Sequence, residues 1–187
     1  MEYVDKFISS YSSHSFQKIQ FCPQNDSHGK FLDINSEFRR KVGERLINGQ
    51  CIGTGEILRD IMLEESKFSE ATWGATNLLS EIAALLLIQT GSQYLKAFFE
   101  AKERTFDTDC ALNGNIVEVA VIQGIINELS DGNLKSSDFY IDYFQDYVPS
   151  VKKLSNYQQK ANEKILEKYN NSKIKVAKPW WRRVFKT

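Results

Sequence analysis

Residues 75–90 read Ala-Thr-Asn-Leu-Leu-Ser-Glu-Ile-Ala-Ala-Leu-Leu-Leu-Ile-Gln-Thr. On a helical wheel Leu78, Leu79, Ile82, Leu85, Leu86, Leu87 and Ile88 point almost everywhere, interrupted only by Ser80, Glu81 and Gln89. A helix that is apolar on every side must be covered on every side. The segment therefore predicts a central helix wrapped by others, with Gly91 as its stop. Its most apolar run, Ile82 to Ile88, falls well short of the ~20 residues that cross a bilayer.

The flanking sequence supplies the wrapping. Upstream, Asn35 is placed to cap a helix from Ser36 to Leu46, with Gly49 beyond its end. A second helix starts at Thr54 or Gly55 and carries Ile57, Leu58, Ile61 and Met62 on one half-buried stripe. Between Phe21 and Gly29 the turn-rich composition predicts a loop. Downstream, Ser92 is expected to cap a helix from Tyr94 to Ala101, and a short element runs from Phe106 to Leu112 before the turn Asn113-Gly114-Asn115. Ile116 to Leu129 is rich in β-branched residues and fits a strand of half its length, but the length and the Asn127-Glu128 ending favour a second buried helix. After a loop at Ser130-Asp131-Gly132-Asn133 come a short helix up to Pro149 and a long wet one from Ser150 to Tyr169. The fold class that results is all-α: a single-domain helical bundle over residues 1–172 with one or two central buried helices. A basic aromatic extension, residues 173–187, packs on that body.

Charge divides the chain along the same line. Residues 1–150 hold 13 Lys and Arg against 22 Asp and Glu, whereas residues 151–187 hold 11 against 2. The neutral total is thus an acidic body joined to a basic tail, which points either to a charged partner or to an intramolecular clasp. The start, Met1-Glu2-Tyr3-Val4-Asp5-Lys6-Phe7, is acidic where a secretory signal is basic, and no apolar core follows. Together with three widely spaced cysteines (Cys22, Cys51, Cys110) and no CxxC, this predicts a cytoplasmic protein with buried thiols.

Catalytic constellations are lacking. His14, Cys22 and His28 offer ligand atoms without zinc spacing. Ile52-Gly53-Thr54-Gly55-Glu56 misses the third glycine of a dinucleotide site and the Gly-Lys-Ser/Thr of a P-loop. Asp107 and Asp109 have a D-x-D spacing, but acids at a helix N-terminus account for them. We therefore expect a non-enzyme with no catalytic residues, metal or cofactor.

Asp138 to Val148, Asp-Phe-Tyr-Ile-Asp-Tyr-Phe-Gln-Asp-Tyr-Val, carries the most information about partners. At ~100° per residue Asp138, Asp142 and Asp146 fall on one stripe, with Phe139, Tyr143 and Tyr147 beside them and Tyr140, Phe144, Ile141 and Val148 beyond. The apolar arc spans ~200°, about twice what one core-facing side requires. A second layer of the same chain, most simply the tail with Trp180 and Trp181, accounts for the surplus. So does a recognition surface for a basic partner, built from Asp138, Tyr140, Asp142, Tyr143, Asp146 and Tyr147. The tail offers the opposite chemistry: Lys173, Lys175, Lys178, Arg182, Arg183 and Lys186 around Trp180 and Trp181 suit phosphates and base stacking.

A small, free-standing, acid-bodied chain without catalytic apparatus resembles the immunity proteins of interbacterial (contact-dependent or related polymorphic) toxin systems. The resemblance is one of general character over the full chain, with Asp138 to Tyr147 as its local support, and the basic tail departs from a uniformly acidic inhibitor. It implies a cytoplasmic bacterial protein that occludes a cognate toxin domain, frequently a basic nuclease. The alternative is a nucleic-acid-associated regulator acting through the tail.

Overall fold

The computed structural model describes residues 2–25, 27–51, 53–131 and 137–151, together with 160, 163–165, 167 and 168. Its order is α1 (Glu2–Ser9), a 3₁₀ turn (Ser13–Lys18), β1 (Pro23–Asn25), β2 (Phe31–Asp33), α2 (Ser36–Ile47), α3 (Gly55–Thr72) and α4 (Asn77–Thr90). A 3₁₀ turn (Gly91–Tyr94), α5 (Leu95–Lys102), α6 (Phe106–Ala111), a 3₁₀ turn (Gly114–Ile116), α7 (Val119–Asp131) and α8 (Ser137–Val151) follow. The chain is mostly helical and forms a single domain.

The central helix is α4. Thr76 opens it by accepting a hydrogen bond from the Leu79 amide on its side-chain oxygen, and Gly91, at φ 60°, closes it in the half of backbone space that glycine enters without steric cost. Leu79 and every residue from Ile82 to Ile88 are buried. The long helix α3 packs along α4, α2 covers another side, and the Gly91–Tyr94 turn, which leads into α5, packs against α7. On α3 the expected stripe Ile57, Leu58, Ile61 and Met62 is wholly enclosed. The β-branched segment resolves as helix α7, whose Val121, Ile122, Ile125, Ile126 and Leu129 face the core. Helix α8 then lies on α7.

Five local expectations are corrected. The loop from Phe21 to Gly29 contains β1, which pairs antiparallel with β2, Gln24 opposite Leu32; the turn residues connect two strands instead of forming one irregular loop. Ser92 is no side-chain cap: it lies inside a 3₁₀ turn, Tyr94 holds the N-cap position of α5, and the Ser92 amide donates to Glu128 Oε2 at 2.8 Å. Ser130 and Asp131 belong to α7, and α8 runs through position 149 to Val151. The proline removes one N–H from the helical ladder, while Tyr147 and Val148 before it pack against the core. The thiols are less enclosed than expected, since Cys22 and Cys51 are half-buried and Cys110 is exposed. The rest of the loop at Gly132-Asn133, most of the stretch from Ser150 to Tyr169, and the tail 173–187 lie outside the described residues.

The N-terminal segments are fastened by a buried ionic cluster. Arg39 of α2 is 0% exposed. Its Nη2 donates to Asp33 Oδ2 at 2.7 Å, its Nε to Glu65 Oε1 at 2.6 Å, and its Nη1 to the Ile19 carbonyl at 3.1 Å. The guanidinium also faces the Phe68 ring at 5.9 Å. Asp33 spends its other oxygen on the amides of Cys22 and Asn35, and Glu65 accepts from Thr76. One arginine thus ties together the hairpin, the first 3₁₀ turn, α2, α3 and the start of α4. Burying three charges costs several kcal/mol per ion unless their bonds are completed, and here they are.

Candidate functional site

Helix α8 is held to the body through its aromatic side chains. Phe144 is 0% exposed. The Tyr143 ring stands edge-on to Phe99 of α5 with centroids 4.8 Å apart, and Tyr140 packs against the same ring at 4.9 Å. Tyr143 donates its hydroxyl to the Leu112 carbonyl at 3.2 Å, and burial pushes its pKa upwards, so the group stays a donor. Tyr147 reaches Gly114 so closely that a Cβ there would stand 2.4 Å from its Cγ. Below Tyr143 sits Lys102, buried, with its ammonium 5.4 Å from the ring centroid and 2.7 Å from Asp109 Oδ1.

The six residues singled out from sequence separate into two groups. Tyr140, Tyr143 and Tyr147 are half-buried and pack against the core; they form the seam between α8 and the rest of the fold. Asp138, Asp142 and Asp146 are exposed together on the outer stripe. Among the described residues none of these three carboxylates enters an ion pair, in contrast to Asp109. Phe139, beside Asp138, is 58% exposed although its ring also touches Phe99. The ~200° arc is therefore mostly absorbed, and what remains outside is an acidic edge with one aromatic ring.

Of the further exposed aromatics that the sequence did not reveal, Phe106 and Trp73 are the most exposed. Phe106, at the first position of α6, is 81% exposed. The reciprocal Thr105–Thr108 capping box fixes that helix start, and Thr-Phe-Asp-Thr was the available signal. Trp73 is 91% exposed and ends α3 in the left-handed region, φ 55° and ψ 47°, a conformation that costs a non-glycine residue about 1–2 kcal/mol. Between α3 and α5, Arg104 donates to Ser66 and Glu70 and lies 3.7 Å from Glu100. No sequence signal placed Trp73 on the surface, because tryptophan in a helical pattern reads as core.

The histidines are both exposed, and among the described residues no three His, Cys, Asp or Glu side chains are grouped to hold a metal ion. No helix among them is long and apolar enough to cross a membrane. What the site defines is a helical protein with an acidic, aromatic-edged surface on a helix packed against the core. No protein family, curated protein or solved structure matches the chain.

Proposed function

We propose that the chain is a cytoplasmic binding protein of the immunity type, which neutralises a basic toxin domain, best fitted by a nuclease, by covering it. The observation that carries the reading is the row Asp138, Asp142 and Asp146, exposed on a helix whose opposite face is bonded to the core. A rigid row of like charges accelerates encounter with a partner of opposite charge and repels nucleic acid, so it suits an occluding protein. Phe139 supplies a ring at the edge of that row, and the half-buried tyrosines supply its support without needing to reorganise. No catalytic role is required of any residue.

The partner to test is a basic toxin domain, sought first in the reading frames adjacent to the gene. Co-expression with that domain should leave cells viable, and replacing Asp138, Asp142 and Asp146 together by Asn should abolish that protection while the helical circular dichroism stays unchanged. Full protection by the folded triple variant would overturn the proposal.

A further inference from the structure

A recess of about 540 Å3 opens between the first 3₁₀ turn and the start of α3, remote in sequence from α8 and independent of the function proposed for it. Pockets of this size hold small ligands when a few polar groups converge in them. Tyr11 and Phe16 form its apolar wall, Ser12 and Ser13 part of its rim, and Glu56, Arg59 and Asp60 its charged side.

The charges are not balanced at the opening. Asp60 is buried and already engaged: Tyr11 donates its hydroxyl to Oδ2 at 2.6 Å, and Arg59 donates from Nε to Oδ1 at 2.8 Å. Arg59 is also 5.5 Å from the centroid of the Tyr94 ring. The guanidinium is thus partly engaged by Asp60 and Tyr94, while its side chain remains 35% exposed at the recess. Glu56, one helical turn before Asp60 and therefore on the same face, is exposed at the mouth, and among the described residues it enters no ion pair. Two carboxylates against one occupied guanidinium leave the recess negative. An anion entering it would meet two carboxylates beside the single, already paired Arg59; a cation would meet the Glu56 carboxylate, the remaining lone pairs of Asp60, and the aromatic side chains Tyr11 and Phe16.

We propose that this recess binds a primary ammonium or guanidinium group carried on an apolar stem, the cation resting on Glu56 and the outer side of Asp60 and the stem lying along Phe16 and Tyr11. Long cationic side chains bury their methylene stems in this way. A free aliphatic amine and a Lys or Arg side chain of a protein partner share this chemistry.

The test is an amide-resolved NMR titration of the full chain at constant ionic strength, with cadaverine, with Gly-Lys-Gly, with Gly-Arg-Gly and with inorganic phosphate. Saturable shifts confined to residues 11–16 and 56–60 are expected for at least one cation, and none for phosphate. Glu56→Gln, at an exposed position that leaves the Tyr11–Asp60–Arg59 bonds in place, should weaken the cation at least about fivefold. Tighter cadaverine binding assigns the site to free amines, and tighter tripeptide binding assigns it to basic side chains. Absence of saturation by all three cations, saturation by phosphate, or undiminished affinity in Glu56→Gln overturns the proposal.

Discussion

Tyr143 and Leu112 are joined by a 3.2 Å hydrogen bond from the phenolic hydroxyl to the backbone carbonyl, which fastens the middle of α8 to the end of α6. Removing only the hydroxyl, in Tyr143→Phe, should cost about 1 kcal/mol of stability. Tyr143→Ala also removes contacts with Phe99, Phe144 and Tyr147 and should cost about 3 kcal/mol. Urea denaturation measures both. Loss of partner affinity in Tyr143→Phe with no loss of stability would show the hydroxyl to be a partner contact and not a support.

Arg39 should be among the least replaceable residues. Arg39→Met strands Asp33 and Glu65 as buried, unpaired carboxylates, a situation that typically costs about 3–5 kcal/mol. Combining it with Asp33→Asn and Glu65→Gln should recover part of the loss, because the stranded charges go with it. Chemical denaturation of the single and triple variants decides. Additive destabilisation would mean that the three side chains do not act as one unit.

Gly114→Ala tests the seat of α8. Its methyl group would meet the Tyr147 ring at 2.4 Å, well inside contact distance, so the helix must shift. We expect a loss of about 1–3 kcal/mol, which Tyr147→Ala does not relieve, because the Cβ of residue 147 itself would stand 2.7 Å from the new methyl group. A neutral Gly114→Ala would mean that Tyr147 does not rest there.

Asp5 of α1 accepts from Nε and Nη2 of Arg45 at 2.6 and 2.8 Å, and this bonding holds its carboxyl below the usual aspartate range. A carboxylate with a depressed folded pKa contributes stability above its unfolded pKa, and that contribution is lost as pH falls through the folded value. The melting-temperature gap between wild type and Asp5→Asn should therefore be widest near neutrality and close on acidification below the ordinary aspartate range. A constant gap across that interval would count against the pairing.

The helical layers were legible because their signal is periodic and local. Leu78 to Ile88 requires cover on all sides whatever its neighbours are, and Ile57, Leu58, Ile61 and Met62 share one face of any helix. Arg39 was not legible: within Ser36 to Leu46 it is one of four basic residues, Arg39, Arg40, Lys41 and Arg45. Only carboxylates 6 and 26 positions away choose the one that is buried. At α8 the sequence showed the acidic stripe and the aromatic arc. How much of that arc is covered depends on Phe99, Leu112 and Gly114, which no local pattern connects to it. The β1–β2 hairpin was hidden because three-residue strands are shorter than any alternation can reveal.

In the proposed function Asp138, Asp142 and Asp146 steer a basic partner onto α8. Stopped-flow association of the full chain with the basic toxin domain it is proposed to cover, followed from low to high salt, is the decisive measurement. For the wild type the association rate should fall at least about tenfold as ionic strength rises, and the Asp138→Asn, Asp142→Asn, Asp146→Asn triple variant should lose most of that salt dependence. Identical rates and identical salt dependence in the two proteins would contradict it.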